Sequence, residues 1–258
     1  MHGNEIFQRV RHALARVESE QNVRVLFACE SGSRAWGFAS RDSDYDVRFI
    51  YVHRRDWYLS IEDRRDVIEQ PIADDLDVSG WELRKALRLL RKSNPPLLEW
   101  LKSPVVYRHD PVFATGFGAL AAEFYSPRRC FAHYLHMAFG NWRAYLWGRE
   151  EVRLKKYLYV IRPLLACRWI ERHLGQVPML FGQLVESVLD EAAVRTALVE
   201  LVARKQAGEE LAVAPPVEAL SRFIEAELPR LQALTEPDDA AGEVEKLNDF
   251  FRRHALAA

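Results

Sequence analysis

Two short apolar segments near the start of the sequence restrict the fold more than any other feature. The segment from Val23 to Cys29 is apolar and β-branched, and the segment from Asp46 to Val52 has the same character. Both are shorter than an ordinary buried helix, so they predict strands. A stretch containing Gly and Ser follows the first segment and permits a sharp turn. The chain is therefore expected to form a sheet early.

Helical periodicity surrounds these strands. Apolar residues at helical spacing predict a helix over about residues 4–20, and two more strands are predicted around residues 67–78. Ser79-Gly80-Trp81-Glu82 fits a capping box, which predicts a helix that ends before Asn94. No strand is expected after that. Later helices are predicted over about residues 126–147, 151–173, 180–206, 217–234 and 243–256.

This succession of elements predicts an α+β protein of two parts. Strands and helices mix up to about residue 108, whereas only helices follow. The predicted domains are therefore an α/β domain over residues 1–108 and an all-helical domain over residues 109–258. No apolar run approaches the length of a membrane span, and the start lacks an apolar targeting segment. We therefore expect a soluble protein without a membrane partner.

The charge balance and the spacing of the cysteines bear on nucleic-acid binding and on the cellular compartment. Lys and Arg number 36 against 37 Asp and Glu, so contact with nucleic acid would require a local basic patch. The cysteines Cys29, Cys130 and Cys167 are far apart in sequence, which is typical of reduced, buried thiols. A cytoplasmic location follows as the expectation.

Two aspartates at the start of the second strand suggest a site. Asp44 and Asp46 are two residues apart, so the period of a strand directs both carboxylates to one face. Paired carboxylates suit Mg²⁺, although a D-x-D pair alone is weak evidence and is common in turns. Gly32 and Ser33 lie in the preceding turn, where backbone N–H groups and a hydroxyl can bind phosphates. Together these groups fit phosphoryl or nucleotidyl transfer.

A site with two metal ions requires a further carboxylate on a neighbouring strand. Asp75 and Asp77 are both candidates, two residues apart in a predicted strand. We favour Asp77 because it lies nearer the end of that strand, next to the following helix. Asp75 continues an acidic loop and is kept as the alternative.

These residues also carry a resemblance to a known family. Gly32-Ser33 followed by Asp44-Tyr45-Asp46 resembles the signature of the DNA polymerase beta nucleotidyltransferase superfamily. The strings GSRAWGFASRDSDYDVRFIYV, LDVSGWELRKAL, SNPPLLEWL and KKYLYVIRPLLACRWI resemble its bacterial RlaP, or YcgL-like, branch. The resemblance covers about residues 22–175. It implies a polymerase-beta-like α/β domain with a mixed sheet, followed by a helical domain.

The resemblance also implies an activity. Gly32 and Ser33 would hold the triphosphate, and Asp44, Asp46 and Asp77 would bind two Mg²⁺ ions, with Mn²⁺ as a substitute. An acceptor hydroxyl would attack the α-phosphate of a nucleoside triphosphate such as ATP and release pyrophosphate. RNA repair is the role assigned to the branch, which makes an RNA end one expected acceptor. The preferred base and the oligomeric state stay open.

The helical part contains a second candidate feature. Residues 141–172 contain eight basic and three acidic residues, and Lys155, Tyr159 and Arg162 are spaced for one helix face. With Lys156 they are predicted to bind a nucleotide or a nucleic-acid backbone, although such side chains also cover apolar surface. The tryptophans of this part, Trp142 and Trp147 among them, are interpreted as core residues.

Two other classes of function compete with the enzyme. A binding module of the same fold would bind nucleotide or RNA without catalysis. A scaffold would use the helices for docking and leave the carboxylates as solvated surface.

Overall fold

The computed structural model describes residues 2–208, 213–234 and 242–257. The strands are β1 (Val23–Glu30), β2 (Tyr45–His53), β3 (Val67–Glu69), β4 (Leu76–Glu82), β5 (Val106–His109), β6 (Val152–Arg153) and β7 (Val213–Ala214). The helices are α1 (His2–Gln21), α2 (Gly32–Trp36), α3 (Arg55–Tyr58), α4 (Leu83–Arg91), α5 (Pro95–Trp100), α6 (Pro111–Glu123), α7 (Pro127–Tyr145), α8 (Lys155–Glu171), α9 (Phe181–Val188), α10 (Ala192–Gln206), α11 (Glu218–Gln232) and α12 (Val244–Leu256).

A mixed five-stranded sheet forms the centre of the first unit. Its strand order is β3-β4-β2-β1-β5, with β2 and β4 parallel and the other neighbours antiparallel. Helix α1 covers one face because its apolar residues recur at helical spacing. Those residues are Ile6, Val10, Leu14 and Val17, and they join a core with Val25, Val47, Phe49 and Tyr51. The α+β class and the predicted α1, β1 and β2 are confirmed.

The start of α4 differs from the prediction. Ser79 is part of β4, where it pairs with Arg48, so it does not cap the helix. Glu82 occupies the N-cap, and its carboxylate accepts hydrogen bonds from the backbone N–H groups of Arg84 and Lys85. The capping-box prediction is therefore wrong, because pairing with β2 extends the strand to Glu82.

The expectation of no later strands is also wrong. Strand β5 pairs with β1 at the edge of the sheet, with Phe27 opposite His109. The four residues of β5 are too few for a clear strand period, and the pairing partner is far away in sequence. A short β6–β7 ribbon likewise interrupts the predicted all-helical part.

The chain divides into two compact units. Unit 1 comprises residues 1–35, 44–125 and 241–258, and unit 2 comprises residues 36–43 and 126–240. Helix α12 belongs to unit 1 because Phe250 packs against Phe113 and Phe117 of α6. Distant parts of the sequence thus complete each unit.

Helices α7–α11 form most of unit 2. Ser126 caps α7 as predicted, since its hydroxyl accepts a hydrogen bond from the backbone N–H of Arg129. The predicted helix over residues 180–206 is two helices, separated at Leu189, where the backbone is extended. Pro163 lies inside α8, and the side-chain amide of Asn141 donates to the carbonyl of Tyr159.

Two further observations concern the cysteines and the apolar character of the helices. Cys29, Cys130 and Cys167 are buried thiols and none of the three is in a disulfide, as expected. Within residues 2–208, 213–234 and 242–257, no helix has the combination of length and apolar character that a membrane span requires.

Candidate active site

The parallel pair of strands brings two of the predicted aspartates together. Asp46 near the start of β2 lies in register with Asp77 of β4. The Arg48 guanidinium lies between their carboxylates, and its Nη2 donates to Asp46 Oδ1 at 2.9 Å and to Asp77 Oδ2 at 2.8 Å. Both carboxylates therefore converge on the position of a single cationic nitrogen.

A tight turn at Gly32 approaches this pair. Gly32 has a φ of +57°, and a Cβ atom there would lie 1.9 Å from Asp46 Oδ2. Only glycine tolerates both this backbone conformation and this close contact. The backbone N–H of Ser31 donates to the carbonyl of Asp46 at 2.8 Å, which fixes the turn against β2. The predicted phosphate turn and the carboxylates are thus adjacent.

Glu30 supports Asp46 from the neighbouring strand. Its buried carboxylate accepts from the backbone N–H of Asp46 at 2.8 Å and from the hydroxyl of Tyr107 in β5. Burial raises the pKa of Glu30, although the hydrogen bonds from Tyr107 and the Asp46 backbone oppose this rise.

Electrostatics distinguish Asp46 from an ordinary surface aspartate. Burial raises the pKa of Asp46. The positive charge of Arg48 lowers this pKa, while the negative charges of Asp77 and Asp44 raise it, and the net effect is upward. Arg48 therefore does not offset burial and the neighbouring negative charges at Asp46, and a further cation there would stabilise the ionised carboxylate.

The other two acidic candidates occupy different positions. Asp44 is exposed and precedes β2, and its carbonyl accepts from Arg34 Nε at 3.2 Å. The Arg34 guanidinium also lies 3.7 Å from the centre of the Tyr45 ring. Asp75 precedes β4 and forms a 2.7 Å ion pair with Arg9. Asp77, rather than Asp75, lies beside Asp46.

The donor atoms allow a test of the predicted Mg²⁺. Within the part of the chain that is described, no group of three or more His, Cys, Asp or Glu side chains is arranged to hold a metal ion. Asp46 and Asp77 nevertheless provide converging carboxylate oxygens, the ligand type that Mg²⁺ prefers, and they already enclose one positive charge. The pair fits a divalent cation, with Arg48 as its competitor.

The four α8 residues predicted to bind nucleotide all belong to unit 2. Lys155 is exposed, and Lys156 is half-buried with Nζ 3.7 Å from the centre of the Tyr145 ring. Tyr159 contacts the Trp36 ring edge-on. Arg162 is buried, donates to the carbonyl of Met179 at 3.1 Å and lies over Trp36, so it does not share an exposed face with Lys155. Their role in nucleotide binding stays a prediction.

Sequence reasoning missed Arg48 and Tyr107. Arg48 is two residues after Asp46, so the same strand period that aligned Asp44 with Asp46 also places Arg48 on the face of the carboxylates. That signal was present in the sequence. Tyr107 had none, because its contact with Glu30 depends on the long-range pairing of β5 with β1.

The sequence of the chain is similar to those of known proteins. The family described as RlaP, RNA repair pathway DNA polymerase beta family, matches residues 6–253. The Bacillus subtilis (strain 168) protein described as uncharacterized protein YcgL is 50% identical over 224 residues, which cover 87% of this chain and 86% of that protein. A crystal structure of a nucleotidyltransferase-like protein from Exiguobacterium sibiricum 255-15 shares 12% identity at a TM-score of 0.33, covering 98% of this chain and 77% of that one. From the family match and the 50% identity to YcgL, the chain belongs to the RlaP family, described as an RNA repair pathway DNA polymerase beta family.

Proposed function

We propose that the protein transfers a nucleoside monophosphate from a nucleoside triphosphate to an acceptor hydroxyl, and that the acceptor is an RNA end. The observation that carries this proposal is the pairing of Asp46 with Asp77 on parallel strands beside the Gly32 turn. ATP is one triphosphate to test. The three buried cysteines, none of which is in a disulfide, support a reducing cytoplasm as the setting.

Each part of the site has a role in this reaction. The backbone at Gly32 and the Ser33 hydroxyl bind the triphosphate, because N–H and O–H donors at a turn favour phosphate oxygens. Asp44, Asp46 and Asp77 hold the cations, which we propose to be two Mg²⁺ ions, with Mn²⁺ as a substitute. When bound, these ions offset negative charge on the phosphates and lower the pKa of the acceptor hydroxyl.

The bond changes follow from the substrate. The acceptor oxygen loses its proton and bonds to the α-phosphorus, while the bond from that phosphorus to the pyrophosphate oxygen breaks. The chain stabilises this charge transfer by orienting groups in advance. Glu30 contributes by fixing the backbone of Asp46, and Gly32 by leaving room for the Asp46 carboxylate.

A label-transfer experiment tests the proposal. The protein is incubated with Mg²⁺, each of four α-³²P-labelled nucleoside triphosphates and size-sorted RNA, protein and small-molecule fractions. We expect label in RNA with the wild type, and its loss in Asp46→Asn. Asp63→Asn is the matched control, since it makes the same change at an exposed loop position in unit 1. Full transfer by Asp46→Asn would contradict the proposal, and label in another fraction would reassign the acceptor.

One observation favours a second candidate, a module that binds nucleotide or RNA without catalysis. Arg48 pairs with both Asp46 and Asp77. In a protein that never binds a cation at this site, Arg48 would neutralise part of the charge of the two carboxylates. Thermal stabilisation by nucleoside triphosphates, together with an absence of label transfer at every Mg²⁺ concentration, would favour this module.

A further inference from the structure

Two large aromatic side chains at the end of α7 are exposed to solvent. Trp147 has 57% of its surface accessible and Tyr145 has 42%. The interpretation of Trp147 as a core residue is therefore wrong. Its ring stacks on Trp142 at a centroid distance of 5.5 Å and an interplanar angle of 29°. The stacking holds one exposed indole in a defined orientation, as a platform for a second planar ring requires.

Basic residues lie close to these rings in the sequence of unit 2. Between residues 143 and 156 the sequence has five basic residues against two acidic ones, Glu150 and Glu151. Across the described residues, none of the five basic side chains is paired with a carboxylate. The five are Arg143, Arg149, Arg153, Lys155 and Lys156. This is an uncompensated positive charge on a protein whose formal net charge is −1.

One of these basic side chains lies against two aromatic rings. Lys156 Nζ lies 3.7 Å from the centre of the Tyr145 ring and 5.3 Å from that of Tyr159. Rings bind planar bases by stacking, whereas Lys and Arg side chains bind phosphates and lose affinity as salt increases. An acidic peptide would engage the charges but leave the rings unused. Bases inside a duplex are not available for stacking.

We propose that this surface, formed by Tyr145, Trp147, Arg149, Arg153, Lys155 and Lys156, binds single-stranded RNA. The inference rests on the proposed function, because it identifies the bound strand as the acceptor of the nucleotidyl group. Bases stack on Trp147 and Tyr145, and the basic side chains follow the backbone. Lys155 and Lys156 are thereby assigned to RNA phosphates rather than to the triphosphate of the incoming nucleotide.

Fluorescence anisotropy with a labelled, unstructured 12-nucleotide RNA of mixed sequence tests this surface. We expect Tyr145→Ala/Trp147→Ala to raise the Kd about tenfold, from the loss of base stacking. Lys155→Glu/Lys156→Glu is expected to raise the Kd at least as much and to reduce its dependence on salt. The matched control is Arg88→Glu/Lys92→Glu, which reverses two exposed charges in unit 1, on α4 and at its C-cap, and should leave the Kd within about twofold of wild type.

Trp147→Phe separates stacking from a folding defect. It retains an aromatic ring and should recover most of the affinity that Trp147→Ala loses, while thermal unfolding reports whether each variant is folded. Several outcomes would overturn the inference: an unchanged Kd in Tyr145→Ala/Trp147→Ala, equal affinity for single-stranded and duplex RNA, or equal competition by polyglutamate.

The two proposals fail in different ways. If this surface does not bind RNA, label transfer by the wild type still depends on Asp46, whereas the Kd for RNA does not change when Trp147 is replaced. If the proposed function is wrong, no fraction acquires Asp46-dependent label, whatever the RNA affinity. The anisotropy is measured without nucleoside triphosphate or Mg²⁺, so it does not depend on catalysis.

Discussion

Each unit contains a cluster in which an arginine lies between two carboxylates. In unit 2, Arg168 contacts Glu191 and Glu227, and Arg230 completes the coordination of Glu227. In unit 1, Arg48 alone contacts Asp46 and Asp77. The Glu227 side chain is only 4% exposed, whereas that of Asp46 is 27% exposed.

The pKa values of the two carboxyl groups move in opposite directions. Burial raises the pKa of Glu227, but hydrogen bonds from Arg230 and Arg168 outweigh it and bring the pKa to about 2. At Asp46, burial and two neighbouring carboxylates outweigh one arginine, and the pKa is raised. In the first arrangement, two arginines stabilise the ionised form of the buried Glu227 and share the neighbouring carboxylates of Glu171 and Glu191, which supports the fold. The second leaves negative charge in excess, which a substrate-bound cation can offset.

Asp77→Asn gives the largest expected effect. Turnover should fall by about 10²–10³-fold, because a ligand of the proposed cation is removed from the transition state. The free energy of unfolding should change by less than about 1 kcal/mol, since the substitution also removes repulsion from Asp46. Label transfer and urea denaturation of the same preparation measure the two effects. Wild-type turnover would contradict the role of Asp77 as a cation ligand. A large loss of stability would place Asp77 among structural residues.

Glu227→Gln should have the opposite profile. Removing one charge leaves Arg168 and Arg230 short of a buried partner, and we expect a loss of about 3 kcal/mol of unfolding free energy. Glu218→Gln is the control, because Glu218 pairs with Arg222 at an exposed site and should cost under about 0.5 kcal/mol. Equal effects of the two substitutions in urea denaturation would refute the structural role of the buried cluster.

The free energy of unfolding should change with pH in opposite directions at the two clusters. The pKa of Glu227 is about 2, below its ordinary 4.5, so its contribution is present above pH 4.5 and is lost as the pH falls towards 2. Glu227→Gln should flatten this decline. The pKa of Asp46 is raised above 3.8, so its contribution is present below pH 3.8 and is lost as the pH rises through the folded-state value. Asp46→Asn should therefore gain stability relative to wild type from pH 4 to 7. A gain confined to acid would reverse the assignment.

Local sequence patterns accounted for the parts of the site that depend on strand period. Strands β1 and β2 and the residues Gly32 and Asp46 followed from short apolar segments and a turn, which neighbouring residues determine. The position of Asp77 beside Asp46 depends on the pairing of two strands that are separated by more than twenty residues. The sequence indicated only the face of the strand on which Asp77 lies. The packing of α12 on α6 likewise depends on residues that are far apart in sequence, Phe113 and Phe250.

Exposure was the property that the sequence predicted least well. Arg162 was expected on a surface and is buried, whereas Trp147 was expected in the core and is exposed. Helical spacing says which residues share a face, but the packing partners of α7 and α8 decide which face is covered. Large tryptophans and long arginines occur in both environments, so residue type did not resolve the question.

Arg48→Met tests the smallest difference between the clusters, the ability to take up a second cation. Without Arg48 the carboxylates of Asp46 and Asp77 repel each other, so the variant should be less stable than wild type in the absence of divalent ions. Mg²⁺ should then restore about 1 kcal/mol at concentrations near ten times its Kd, and it should act at lower concentration than in wild type. Arg9→Met is the matched control, because Arg9 pairs with the single carboxylate of Asp75 and should leave the Mg²⁺ response unchanged. Thermal unfolding over a series of Mg²⁺ concentrations measures this shift. Identical Mg²⁺ responses of wild type and Arg48→Met would show that Arg48 does not compete with a cation for the two aspartates.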